Sequence, residues 1–492
     1  MMKANDIIKD LEILGSQGDL NRFVSDIQYD SRKIQHGEAF IAIKGFQTDG
    51  HRFISQAYQN GARVFFSEEP VDLPDATVIY LKDNRQALPI ISRTFFHEPD
   101  KKLKIIGITG TNGKTTTAYL IHSILQKAHW KPGLFTTVKY FDGSEWHNSE
   151  RTTPEVLDLF RILYRMNQAG LKSMVMEVSS HALSLARVEG VHFLAGVFTN
   201  LGRDHLDFHQ TQENYFLAKR RLFEGMTESQ RAVLNEDDPY SERIRQNTGA
   251  EVYTYSLKDP ASSVSYIQHQ LQKEGLQITL KIPAGEITVI TKFLGTFNIY
   301  NIMAAVATGV SLGLPDNFML EGIESLVRVP GRCENYSTPD GYSVYIDYAH
   351  TPDALQNILR AIWETRPQTL IVVFGAGGDR DRGKRPAMGK AAEDYGDKII
   401  LTNDNPRSED PMVILNDILS GISDKSKVMV IPDRYEAIHT ALKMARNKDS
   451  VVVAGKGHED YQEIKGIKYP FDDREVLKEF FEQRRWTFPA ES

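Results

Sequence analysis

The stretch GITGTNGKTTTAYLIHSIL, Gly107 to Leu125, decides how this chain is read. It overlaps the apolar run KLKIIGIT, which has the look of a buried strand. Beyond the turn, apolar residues recur at helical spacing at Leu120, Ile121, Ile124, Leu125 and Ala128. A strand feeding a glycine-rich turn and then a helix is the setting of a phosphate loop. The usual spelling, Gly-x-x-x-x-Gly-Lys-Ser/Thr, places a glycine at 108, where this chain has Ile108 between Gly107 and Gly110. That position lies on the strand side, where a side chain can face the sheet without crowding a phosphate. Gly110 and Gly113 give the backbone its freedom, and successive N–H groups at a helix N-terminus converge on the anion. Lys114 then neutralises the outer phosphate oxygens, and the Thr115 hydroxyl suits Mg²⁺. The competing reading is a glycine-rich turn that happens to precede a lysine; the strand and helix on either side argue against it.

Working outward, 492 residues are too many for one core and predict two to four domains. A net charge of -7 argues against a broad nucleic-acid-binding face. The single cysteine, Cys333, excludes an intramolecular disulfide framework and suits a reducing cytosol. Its plain reading is a small, half-buried thiol. The N-terminal segment MMKANDIIKDLEILG lacks the continuous apolar core of a signal peptide. No apolar run approaches the ~18 residues a membrane span needs. A cytoplasmic protein is expected, without nucleic-acid or membrane partners.

Three parts follow, all α/β. Residues 1–100 carry short strands in EAFIAIKG and ARVFFSEE, with helices in FISQAYQNG and RQALPIISRTFFHEP. Pro99 to Lys102 ends that part as a linker would. Residues 101–329 hold the phosphate loop and two further buried strands, SMVMEVSS and LAGVFTNL. Residues 330–492 alternate YSVYIDYA, TLIVVFGAGG, KIILTNDNP, KVMVIPD and SVVVAGKG with helices such as DALQNILRAIWE. That alternation predicts a second, doubly wound sheet.

Polar residues gather after these strands, where open α/β sheets bind ligands. Glu177 ends one strand, and Asn200, Asp204, His205, Asp207 and His209 follow the next. Carboxylate and imidazole beside a phosphate loop suit a divalent cation; zinc would want thiolates or several histidines.

The motifs GITGTNGKTTT, MEVSSHAL, FTNLGRDHLDFH, NYFLAKRRLF, FLGTFNIYN, PGRCE and DYAHTPDAL stand in an order that resembles the Mur ligases of peptidoglycan synthesis. DSRKIQHGEAFIAIKG near the start and DNPRSEDP in the third part narrow the resemblance to the diaminopimelate-adding branch. The resemblance implies an N-terminal UDP-binding domain (1–100), a central P-loop parallel-sheet ATPase domain (101–329) and a C-terminal Rossmann-like domain (330–492). It implies ATP and Mg²⁺ as cofactors, UDP-MurNAc-L-Ala-D-Glu and meso-diaminopimelate as substrates, and a monomer. The implied chemistry is phosphorylation of the dipeptide's terminal carboxylate by ATP, followed by amine attack on the acyl phosphate. Placement and charge neutralisation then carry catalysis, and no protein nucleophile is required.

Residue by residue, the resemblance assigns Gly110, Thr111, Asn112, Gly113, Lys114, Thr115 and Thr116 to the ATP phosphates. Asn298, Arg332, Asp347 and His350 complete the nucleotide contacts. Thr115 becomes a ligand of one Mg²⁺ and Glu177 with His205 of a second, Lys219 joins the metal set as a carbamate, and Lys114, Glu177, His205 and Lys219 are catalytic. Lys219 matches a lysine carried as a carbamate, an anion that helps organise the metal; from sequence alone it reads as a solvated helix lysine. Ser31, Gln47 and Thr48 would hold the UDP end, and Thr152, Thr153, Ser179 and Arg187 the muramoyl dipeptide. Arg187 could equally pair with a surface carboxylate. Leu185 stands where relatives often carry glutamine, which puts one substrate contact in question. Arg380, Asp404, Asn405, Pro406, Arg407, Gly455 and Glu459 would bind diaminopimelate. The alternatives are a sister ligase adding L-lysine, a folate-polyglutamylating enzyme, and a nucleotide-gated binding protein without turnover. ATP contacts in both the second and third parts predict a swinging third domain, with hinges near Pro99–Lys102 and Arg328–Gly331.

Overall fold

The computed structural model describes residues 1–45, 48–272 and 275–488. The first part builds a five-stranded sheet in the order Gly15–Gln17, Thr77–Tyr80, Val64–Ser67, Ala39–Ile41, Ile27–Gln28. Only its first pairing is antiparallel. Helix Asn84–Phe95 starts where the Asp83 carboxylate accepts from the N–H groups of Arg85 and Gln86.

An eleven-stranded sheet forms the second part. Its parallel core runs from Pro132–Phe135 through Ser173–Glu177, Lys104–Thr109, Phe193–Phe198, Arg231–Asn235 and Glu251–Ser256 to Val264–Gln272. The phosphate-loop strand lies inside this core, and Glu177 pairs in register with Ile108 while Phe198 pairs with Thr109. The loops carrying the predicted site therefore leave the sheet side by side. Helices Lys114–Lys127, Thr296–Ser311 and Asp316–Ser325 cover one face, and Val156–Gln168 covers the other. Burial on both faces explains why the core strands read as unbroken apolar runs. The sheet also has antiparallel edges beyond the parallel core expected from sequence. Lys139–Phe141 and Trp146–Asn148 extend one side, and Gly275–Ile282 and Gly285–Thr291 extend the other.

The third part has strand order Glu334–Ser337, Ser343–Asp347, Ser450–Ala454, Leu370–Phe374, Lys398–Leu401, Val428–Val430, parallel except for the first pair. Pro352–Trp363, Lys384–Tyr395 and Pro411–Leu419 pack on one face, Arg434–Met444 and Asp473–Gln483 on the other. A separate hairpin, Tyr461–Ile464 with Ile467–Pro470, follows the last strand of that sheet.

Pro99–Lys102 is not the loose hinge expected from its sequence. Asp100 is fully buried, pairs with Arg93 at 3.1 Å and accepts from His192 N–H at 3.2 Å. Arg161 ties the same two domains together through Asp26 (3.2 Å) and the Ile27 carbonyl (2.7 Å). One apolar cluster runs from Ala4 to Ala250 through both. Among the described residues no helix is long and apolar enough to cross a membrane.

Candidate active site

Ile108 is fully buried in the sheet core and leaves the loop free for an anion. Both turn glycines are required. At Gly113, φ is +86°, and an added Cβ would lie 2.3 Å from Asn301 Oδ1; at Gly110 it would lie 1.8 Å from Thr199 Oγ1. Asn112 is fixed by Asn200, whose amide oxygen accepts from Asn112 N–H and whose amide nitrogen donates to the Asn112 carbonyl. Lys114 folds back on the loop, donating to the Gly110 and Thr111 carbonyls at 2.9 Å each. Burial lowers its pKa, while Glu177 and Asp204 oppose that shift.

Glu177 closes its strand almost wholly buried, with its carboxylate held by the N–H (3.0 Å) and Oγ1 (3.2 Å) of Thr137. His205 adopts the left-handed conformation, φ +53°, and its Nε2 lies 3.3 Å from Asp204. Partial desolvation of this 46% exposed ring pulls its pKa down to about 4, against the pull of Asp204. The Thr115 hydroxyl, Glu177 carboxylate and His205 imidazole all line the cavity in front of the loop, and none of these donors is a thiolate. That set fits Mg²⁺ better than zinc.

Lys219 is 1% exposed, which excludes a solvated helix lysine. Its Nζ donates to the Gly110 carbonyl at 2.7 Å and lies 4.4 Å from the Tyr215 ring. Burial first, and Lys114 second, push its pKa well below the ordinary lysine value.

A cavity of about 700 Å³ opens in front of the loop. Its walls include Lys114, Thr116, Glu177 and His205 from the central domain, and Arg332 and His350 from the third. Arg332 crosses between domains, donating to Thr115 Oγ1 at 3.2 Å with its guanidinium 4.7 Å from the Tyr348 ring. Asp347 organises this approach by accepting from the N–H groups of Cys333 and Ala349, both at 2.7 Å. His350 donates from Nδ1 to the Tyr348 carbonyl at 2.9 Å, leaving Nε2 as its accepting nitrogen. Asn298 also lines the cavity, with its amide donating one N–H to the Leu294 carbonyl and accepting from Asn301. Cys333 is half-buried, as its plain reading predicts.

Thr152 and Ser179 reach the same cavity. Thr153 bridges below them, donating to the Glu177 carbonyl at 3.0 Å and accepting from Ser179 N–H at 3.1 Å. Ser179 Oγ also caps helix Ser180–Ser184. Arg187 pairs with Glu155 at 2.9 Å, the alternative its sequence left open. Leu185 follows that helix half-buried. The proposed UDP residues stand apart on the first domain. Ser31 is buried, donating to Gln56 at 2.7 Å; Thr48 is exposed; Gln47 lies outside the described residues.

The seven residues expected to bind an amino acid gather at the carboxyl ends of the third sheet. Asn405 donates to Glu459 (2.7 Å), and Arg407 donates to the Gly378 carbonyl (2.7 Å) and to Glu463 (3.2 Å). A Cβ at Gly455 would meet Asp404 at 2.4 Å, and the Pro406 carbonyl crowds Gly378. Arg380 is exposed above them. Sequence reasoning missed Lys456, which is fully buried and lies 3.2 Å from Asn405 Oδ1, 3.4 Å from Glu459 and 3.9 Å from Asp404. It missed Tyr348, whose hydroxyl is 3.5 Å from Glu459 while its ring borders the cavity, and so joins the two sites. Burial first, then Asp404, raises the pKa of Glu459.

Three family models match the chain in succession: "Mur ligase family, catalytic domain" over 24–98, "Mur ligase middle domain" over 108–309, and "Mur ligase, glutamate ligase domain" over 331–457. A UDP-N-acetylmuramoyl-L-alanyl-D-glutamate–2,6-diaminopimelate ligase from Phocaeicola vulgatus is 42% identical, over 98% of this chain and 99% of that one. The chain belongs to the Mur ligase family. A ligase of the same name from Solibacter usitatus is 45% identical over 93% of each chain. A solved structure of a ligase so named superposes with a TM-score of 0.70 at 33% identity, covering 99% of this chain and all of the other. Each of the three matched segments falls on one of the three sheets described above, although strand Gly15–Gln17 precedes the first match.

Proposed function

We propose that the chain is an ATP-dependent amide ligase adding meso-diaminopimelate to UDP-N-acetylmuramoyl-L-alanyl-D-glutamate. One observation carries the reading. A phosphate-loop cavity walled by two domains is joined through Tyr348 to a preformed set of opposite charges, Lys456 against Asp404 and Glu459 and Arg407 against Glu463. The names and coverage of the relatives support the substrate assignment.

The P-loop amides and Lys114 would bind the ATP phosphates, with Arg332 and His350 closing over them from the third domain. A dipeptide carboxylate oxygen forms the new P–O bond as ADP leaves. The unprotonated amine then attacks the acyl carbon, and the amide bond forms as phosphate departs and the nitrogen releases a proton. Two anions must meet in the first step, so positioning and charge neutralisation decide the rate. Thr115 would hold one Mg²⁺ and Glu177 with His205 a second, and the ions when bound screen that repulsion. Thr137 keeps Glu177 aimed, and Lys219, as a carbamate, would add a second fixed anion.

Diaminopimelate differs from lysine by a carboxylate at its far end. A planar guanidinium can grip that group through two hydrogen bonds. Lysine would leave Arg407 without this partner, a penalty that can reach ~10⁴-fold where a site is built around a missing polar group. Phosphate release with the UDP-dipeptide and a panel of amino acids tests the assignment. Strong preference for meso-diaminopimelate is expected, largely lost in Arg407→Ala. Comparable kcat/KM for L-lysine in the unmodified enzyme would instead establish the lysine-adding alternative.

A further inference from the structure

The hairpin Tyr461–Ile464/Ile467–Pro470 belongs to neither large sheet, yet it is fastened to the amino-acid cluster at four points. Arg407 N–H donates to the Glu463 carbonyl at 2.9 Å, and Lys465 N–H donates to the Arg407 carbonyl at 2.7 Å. Glu463 N–H donates to Asn405 Oδ1 at 2.9 Å, and Arg407 Nε donates to the Glu463 carboxylate at 3.2 Å. These bonds hold Arg407 at φ +51°, a left-handed conformation that arginine does not favour.

A guanidinium carries five N–H bonds in one plane. Here Nε is committed to Glu463 and one Nη1 hydrogen to the Gly378 carbonyl. Bonds at two corners of a rigid plane fix both its tilt and its rotation. Three hydrogens are left over, one on Nη1 and two on Nη2, and a carboxylate can take one from each nitrogen through its two oxygens.

We propose that Glu463 is a positioning residue for the incoming diamino acid. By holding Nε, it turns the free edge of Arg407 toward the substrate's far-end carboxylate. The proposal rests on the function argued above. Two effects of Glu463 oppose each other, since its charge also repels that carboxylate. The Arg407 guanidinium would stand between the two carboxylates and offset that repulsion, whereas the charge-assisted bond to Nε acts at contact. Orientation therefore outweighs repulsion.

The test is steady-state kinetics of the full chain with saturating ATP and UDP-dipeptide, comparing Glu463→Ala and Glu463→Gln with the unmodified enzyme. In Glu463→Ala, KM for meso-diaminopimelate should rise about 10- to 100-fold, the cost of a misplaced contact, with kcat changed less than about threefold. KM for ATP and the weak turnover of L-lysine, which offers no far-end carboxylate, should not move. Glu463→Gln should recover most of the affinity, because its amide oxygen still accepts from Nε. An unchanged or lowered KM in Glu463→Ala overturns the proposal, as does a loss shared equally by L-lysine. If the unmodified enzyme does not favour meso-diaminopimelate, the functional reading falls and takes this role with it. If it does and Glu463→Ala keeps its KM, only the role of Glu463 falls.

Discussion

Lys219 and Lys114 both donate to the Gly110 carbonyl, at 2.7 and 2.9 Å. Two ammonium groups on one acceptor repel each other, and Lys219 is the more strongly displaced from its ordinary pKa. Desolvation favours its neutral amine, the form that can attack CO₂ to make an N–C bond and release a proton. The product is an anion where a cation would repel Mg²⁺. Lys219→Ala is therefore expected to lose at least ~10²-fold in kcat, in keeping with removal of a preorganised charge from a buried site. Short carboxylates added to the assay should restore part of that loss by occupying the vacated space. Full activity of Lys219→Ala in CO₂-free buffer would remove the carbamate from the mechanism.

The third domain's last helix, Asp473–Gln483, is pinned by a fully buried pair. Arg434 Nε and Nη2 each donate to the Asp473 carboxylate at 2.7 Å, and Nη2 also donates to the Ala454 carbonyl at 3.1 Å. Removing one partner of such a pair leaves an uncompensated buried charge. Asp473→Ala should cost ~3–5 kcal/mol in urea unfolding, and Arg434→Met with Asp473→Leu should recover much of it. A loss below ~1 kcal/mol in Asp473→Ala would show that water or a neighbour already compensates Arg434. Neither residue was legible as a pair, because 39 positions separate them and no periodicity links a helix start to another helix start. The strand, turn and helix around Lys114 were legible because apolar spacing changes period across a glycine-rich break. The burial of Lys219 was not: its neighbours Arg220 and Arg221 give the helix a polar look. Val264–Gln272 was missed because most of its residues are exposed. The Glu463 hairpin did carry a signal in Lys465-Gly466, a two-residue turn with both φ positive, +51° and +78°.

Across the whole molecule, the ATP cavity depends on how the third domain meets the second. Asp100 and a shared apolar cluster join the first domain to the second, and a further apolar cluster that includes Val329 runs from the second into the third, so motion about Arg328–Gly331 has to slide that contact. That crossing lies beyond helix Asp316–Ser325; besides the Val329↔Arg332 bridge, Gly331 N–H donates to the Glu334 carboxylate and the Gly331 carbonyl accepts from Tyr348 N–H at 2.9 Å. Gly331 sits at φ +67°, and a Cβ there would lie 2.4 Å from His458 N, so the chain turns here as no other residue allows. Arg332 is the next residue and already touches Thr115, so a small rotation about Gly331 moves the wall of the cavity directly. Closure would exclude water from the step in which two anions meet. Small-angle scattering should therefore show a lower radius of gyration with a non-hydrolysable ATP analogue and the UDP-dipeptide together than with neither. The change should come from the third domain, so a distance label there should approach one on the second domain but not alter the first-to-second distance. Superimposable scattering profiles with and without both ligands would mean that the cavity is already closed and that the crossing is not a hinge.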